Sequence, residues 1–120
     1  MTSLHFELPR ALILSANSRE HWRPKANKTR NLRALAAIVA RQETPLERAH
    51  LLVRVGWPDN RRRDVANIEP TLKALIDGCV DGGLLPDDDD DHLIGPDKRA
   101  YVAGMTGFVV LDFEFTGIVA

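Results

Sequence analysis

Residues 50–83 read HLLVRVGWPDNRRRDVANIEPTLKALIDGCVDGG, and this stretch decides the architecture. His50 to Trp57 is rich in leucine and valine and reads as a strand. Pro58-Asp59-Asn60 is a turn signal. Asn67 is a good helix N-cap, with Glu69 and Pro70 suited to the first turn. Ile68, Leu72, Leu75, Ile76, Cys79 and Val80 then recur at helical spacing and define one apolar face. Gly82-Gly83 ends that helix. A strand, a basic turn and an amphipathic helix therefore follow one another here.

Working outward, Leu4 to Leu8 alternates apolar and polar residues and reads as a strand ended by Pro9. Residues 10–28 look irregular and basic, long for a loop in a small domain. A helix is predicted from about Thr29 to Glu43, with Leu32, Leu35, Ala36 and Val39 as its apolar stripe and Pro45 beyond its end. Two more strands are predicted over 99–104 and 107–115, joined near Thr106-Gly107. In the second, Val109, Leu111, Phe113 and Phe115 make an apolar face opposite Phe108, Val110, Asp112 and Glu114. The expected fold is α+β: a single domain over 1–120, one mixed sheet of about four strands with two helices, in the order β-α-β-α-β-β.

The 120 residues suit one domain, and an apolar content of 44% supports a modest core, so a partner subunit would help bury surface. No stretch has the length of a membrane span, and no basic segment followed by an apolar run opens the chain, so a cytoplasmic location is expected. The single cysteine, Cys79, excludes an internal disulfide and a cysteine-based zinc site, and it falls on the apolar helical face. The net charge of −1 conceals an asymmetry. Residues 1–63 carry 13 basic and 5 acidic side chains, whereas residues 64–120 carry 3 and 12. Such halves either pair with each other or divide the work of meeting an anion and collecting a cation.

The chemistry is concentrated in Pro58 to His92. Arg61-Arg62-Arg63 abuts Asp64 at a strand-to-helix junction, and one helix later comes the acidic run Asp87 to Asp91. Guanidinium forks bind phosphate oxygens, and carboxylates hold Mg²⁺, which takes oxygen ligands. Both are needed for phosphodiester hydrolysis. The helix from Pro70 to Asp81 should be about 18 Å long, and Gly82 to Pro86 can span at most about 16–18 Å. The chain can thus run back along the helix and carry Asp87 or Asp88 toward Asp64. Each feature also has a plainer reading. Asp64 can be a helix cap, the aspartates a solvated loop, the arginines an exposed turn. Lys73 can pair with Glu69 or Asp77 at i±4. Trp22, beside His21 in the basic loop, can anchor that loop to the core or stack on an unpaired base. His5, His50 and His92 show no joint ligand spacing.

The string Pro58-Asp59-Asn60-Arg61-Arg62-Arg63-Asp64-Val65-Ala66-Asn67 resembles the basic-run-then-D-x-D-N motif of the RusA family of Holliday junction resolvases. Leu72 to Gly78, then Gly83-Leu84-Leu85-Pro86-Asp87-Asp88, is similar to that family's helix and following acidic pair. Ser15-Ala16-Asn17 and the basic loop through Lys28 are similar to its DNA-contacting N-terminal region. The resemblance implies a homodimer that nicks four-way DNA junctions with Mg²⁺, or Mn²⁺ in its place, in bacterial cells and often from phages or prophages. It implies Asp64, Asp87 and Asp88 as metal ligands and catalytic acids, with Lys73 the nearest match, about one turn late, to a catalytic lysine. It implies Asn17, Arg19, Arg23, Lys25, Lys28, Arg61, Arg62, Arg63 and Asn67 as DNA contacts. The second acid of D-x-D-N is Ala66 here. A binding protein of the same fold with impaired catalysis is therefore the alternative expectation.

Overall fold

Alternation in the first strand puts Leu4, Phe6 and Leu8 on one side of β1 (Thr2–Pro9), all three buried. β1 pairs antiparallel with β4 (Phe108–Gly117), whose Val109, Leu111, Phe113 and Phe115 point the same way. β4 pairs antiparallel with β2 (Ala49–Trp57), and β2 pairs parallel with β3 (Leu93–Val102). The mixed sheet thus has the order β1-β4-β2-β3, in a computed structural model that describes residues 1–15, 22–61, 63 and 65–119. Two helices, α1 (Trp22–Ala40) and α2 (Glu69–Asp81), cover its apolar side. Short 3-10 turns occupy Arg10–Leu12 and Val65–Ile68. The expected element order and sheet-plus-two-helix architecture are observed.

Parallel strands need a crossover, and α2 supplies it between β2 and β3. The helices meet closely at Gly78. A Cβ there would lie 2.3 Å from the Arg33 carbonyl oxygen and 2.7 Å from the Ala36 methyl, so only glycine permits this approach. Cys79, one residue on, is fully buried, and burial pushes its thiol up to about 12. It is a core residue with no thiolate at neutral pH.

Several boundaries differ from the sequence reading, four of them with a physical reason. α1 starts at Trp22 rather than Thr29, so 22–28 is helical rather than irregular. Residues 23–27 are exposed and so carry no apolar stripe. Pro24 falls in the first turn, where a missing N–H costs nothing. α1 ends at Ala40 rather than Glu43, because Gln42 and Glu43 bond only three residues back. Asn67 does not cap α2. It belongs to the preceding 3-10 turn, and the cap position is Ile68 with no side-chain bond. β3 starts at Leu93 rather than near Arg99, since a Gly-Pro pair is tolerated at a bulge on an edge strand. Gly95, with φ of +104°, makes that bulge against the Leu51 carbonyl. β3 and β4 are consecutive but not paired, because β2 lies between them.

The other side of the sheet is open and charged. His5 hydrogen-bonds to Asp112 across the β1–β4 pair, and the Tyr101 hydroxyl donates to the other oxygen of Asp112 at 3.5 Å. Arg54 donates to Glu114 at 3.0 Å, and His50 meets Asp97 at 2.5 Å. Tyr101 lies over Gly56, where a Cβ would come within 2.7 Å of its ring.

One buried contact and one on this open side can be tested directly. Thr71 is the one buried polar residue among those described; its hydroxyl accepts the Leu14 N–H (2.8 Å) and donates to the Leu14 carbonyl (2.7 Å). Thr71→Val strands both backbone groups and should lower unfolding free energy by about 2–4 kcal/mol in urea titrations, while Thr71→Ser should recover most of it. The second concerns His5, whose pKa is raised above 6.5 chiefly by the bond to Asp112 and further by Glu7. Its contribution to stability is complete below the unfolded value and is lost as pH rises through the higher folded value. The His5 ring should titrate above 6.5 by NMR in the parent protein, and lower, toward that ordinary value, in Asp112→Asn.

Candidate functional site

The chain leaving β2 at Trp57 turns at once, and Asp59 organises the turn. Its Oδ1 accepts the Arg61 backbone N–H (3.0 Å) and the Arg63 guanidinium (2.8 Å). Arg63 also donates to the Asp59 carbonyl at 3.3 Å, and Arg61 Nε lies 3.5 Å from Oδ2. These partners, Arg63 first, hold the Asp59 carboxyl below its usual range. The Arg63 guanidinium carbon lies 5.0 Å from the Trp57 ring centroid, a cation–π contact. Arg61, Arg63 and Asn67 line a cleft of about 560 Å³. Its other walls come from the first 3-10 turn, including Arg10, and from Thr106 to Val109 at the start of β4. Among the described residues, three guanidinium groups and one carboxylate line the cleft, a net positive lining.

Past α2, Leu84 and Leu85 are buried, and backbone bonds tie Leu84 to Cys79 (3.0 Å) and Leu46 (2.7 Å). These anchors turn the chain back along the helix. Asp88 thereby meets Lys73 at 2.5 Å, and the same ammonium donates to Asp77 at 3.0 Å. Asp88 is held below its usual range, mainly by Lys73, and Lys73 is raised by Asp88 and then Asp77. Asp87 Oδ1 accepts the Asp88 N–H (2.7 Å). Asp89 takes the Asp91 N–H (3.1 Å) and pairs with His92 (2.6 Å), raising the His92 pKa. The five aspartates thus divide into one held by lysine, one held by histidine, and exposed neighbours.

The basic residues of α1 form a separate surface. Lys25, Arg30, Arg33 and Arg41 line a shallow groove of about 800 Å³, where Arg33 makes a two-pronged bond to Asp81 (3.0 Å each) that raises its pKa and ties α1 to the end of α2.

The sequence-derived site is therefore brought together in part. Asp87, Asp88 and Lys73 share the returning loop and mid-α2, and Arg61, Arg63 and Asn67 share the cleft. Arg23, Lys25 and Lys28 lie in the first two turns of α1 and are not among the residues lining the cleft. Asp64, Arg62, Asn17 and Arg19 lie outside the described residues, as does His21. Both plain pairings of Lys73 are resolved: it bonds Asp77, while Glu69 pairs with Lys98 instead. Arg10, Trp57 and Phe108 escape sequence reasoning, since each joins the cleft from a different element and none sits in a local motif. Asp77 has the i+4 spacing from Lys73 as its signal.

Among the described residues, no three carboxylate, histidine or cysteine side chains converge to hold a metal ion. The donor type nonetheless suits a hard cation. Asp77 and Asp88 bring carboxylate oxygens onto one positive charge, at present the Lys73 ammonium. No protein-family model matches the chain, and no curated protein matches it significantly. No helix among the described residues is long and apolar enough to cross a membrane.

Removing the ammonium tests this arrangement. In Lys73→Met, the Asp88 carboxyl should titrate higher than in the parent protein, where it is held below its ordinary value, by carboxyl-carbon NMR. A depressed carboxylate contributes stability above its unfolded pKa and loses it as pH falls through the folded one. The variant should therefore lose less stability on acidification below about pH 4.

Proposed function

We propose that this chain is a RusA-like, Mg²⁺-dependent endonuclease that binds four-way branched DNA as a homodimer and nicks it. The observation that carries the reading is a juxtaposition on one helix. The head of α2 borders an arginine-lined cleft, and its middle receives an aspartate from the acidic loop beyond its end. Ile68, at the cleft, precedes Lys73 by five residues, about 7–8 Å of helix rise. In this reading the phosphate-gripping and metal-holding groups are served by successive turns of one helix.

In this reading Arg61, Arg62, Arg63 and Asn67 grip phosphates at the cleft, and Asn17, Arg19, Arg23, Lys25 and Lys28 extend the contact. Most of the affinity is then electrostatic and salt-sensitive. Asp64, with Asp87 or Asp88, holds the ion, for which Mn²⁺ can substitute. When bound, the ion polarises the phosphate and lowers the pKa of the attacking water. Lys73 orients Asp88 and carries positive charge toward the scissile phosphate. Recognition rests on junction shape. The expected setting is a bacterial cytoplasm, with a phage or prophage gene as one source.

A second reading is favoured by two observations. Ala66 stands where the motif has an acid, and Asp88 is already neutralised by Lys73. Such a protein binds junctions and leaves them intact.

One experiment separates these readings. A labelled four-way junction is incubated with the protein, with and without Mg²⁺. The parent should retard it and, with Mg²⁺, release nicked duplexes carrying 5′-phosphates. Asp64→Asn and Asp88→Asn should retard it but cut at least a hundredfold more slowly, on the order of a lost catalytic group. Retardation without cutting in Mg²⁺ or Mn²⁺ favours the second reading, and no retardation at low salt overturns both.

A further inference from the structure

The arginine cleft has a composition that phosphate binding alone does not explain. A surface that only grips a DNA backbone needs charge and no cavity. Here the charge surrounds a hollow of about 560 Å³, within the size range of small-ligand sites. Its walls include two aromatic residues. Phe108 is 38% exposed at the very start of β4, an unusual position for a phenylalanine whose neighbours Val109 and Val110 are buried. Trp57 ends β2 and carries the Arg63 guanidinium on its ring. Asp59 fixes that guanidinium from the side, so Arg63 presents a flat, positively charged surface held from two directions. Arg10 enters from the opposite wall, with no side-chain hydrogen bond or ion pair among the described residues, while Arg61 is only loosely engaged at 3.5 Å.

Flat aromatic and guanidinium surfaces stack nucleobases, and an uncommitted arginine binds a phosphate. We infer that the cleft between the end of β2 and the start of β4 receives one unstacked nucleotide of a single strand. Its base lies against Phe108 and the Arg63–Trp57 stack, and its phosphate is bound by Arg10. A duplex keeps its bases stacked and cannot fill such a hollow. A strand at a branch point or an open end can. The inference deepens the reading of this chain as a branched-DNA enzyme, by assigning where a strand is held at the branch, but the binding event itself needs neither metal nor cutting.

The test uses the full-length protein without Mg²⁺. An eight-nucleotide thymidine single strand is titrated against it at low salt, and binding is followed by fluorescence anisotropy and by tryptophan emission. A blunt duplex of the same length is the comparison. The single strand should bind more tightly than the duplex and quench emission. Phe108→Ala and Arg10→Ala should each weaken single-strand binding about tenfold, as for loss of one stacked base or one phosphate contact, and Phe108→Ala should leave duplex binding within about twofold. Circular dichroism and urea midpoints establish that both variants fold; Arg10→Gln, which keeps the stem of the exposed side chain, provides a second variant at that site. Variants that bind the single strand like the parent, or a parent with no preference for single strand over duplex, overturn the assignment even if junctions are cut. A single-strand preference lost in the variants sustains it even if no junction is cut, and the nuclease reading then fails alone.

Discussion

The two helices can cover the apolar side of the sheet only because they approach within a methyl group of each other at Gly78. Side chains on β1, β4 and β2 offer a continuous hydrocarbon surface, and neither helix is wide enough to shield it alone. Bringing Ala36 and the Arg33 carbonyl against Gly78 closes the layer. The Arg33–Asp81 bond then fastens the far end of the pair. The position of α2 follows from this contact, and with it the direction in which its head and its polar side face.

Parallel pairing of β2 with β3 places a second demand on α2. The chain must leave the top of β2, descend through the helix and begin β3 beside Ala49. A direct route from Asp81 to Leu93 would need few residues, yet eleven intervene. The surplus climbs back along the helix and returns, pinned by Leu84 and Leu85 beneath it. That excursion delivers Asp88 to Lys73. The acidic loop is thus shaped by buried leucines, and its charges are presented by a fold that apolar residues determine.

The layered fold was legible because its signals are periodic: the alternation from Leu4 to Leu8 and from Phe108 to Phe115, and the helical spacing from Ile68 to Val80. What escaped was aperiodic. Residues 23–27 of α1 are exposed all round, so nothing marks them as helical. Gly95-Pro96 looks like a break and is a bulge on an outer strand. Of the site, the local parts were readable, namely the arginine run, the aspartate run and the return of the acidic loop along the helix, which is seen as far as Lys73; Asp64, the other end of the expected convergence, lies outside the described residues. The cleft was not, because Arg10, Trp57 and Phe108 are distant in sequence and meet only through the register of β1, β4 and β2.

Both outer strands of the sheet bear on how two copies of this chain can associate. β1 ends in Pro9 and alternates His5 and Glu7 toward the open side, while β3 carries the kink at Gly95, the imino residue Pro96 and the charges of Asp97, Lys98 and Arg99. Such rims resist being extended by another molecule's backbone, as natural sheets that avoid fibrous stacking do. A symmetrical pair built by lengthening the sheet would have to desolvate those charges and forgo a donor at each proline. The sheet is thereby closed at both rims, and its four strands are the whole of it even where other molecules crowd against the edge.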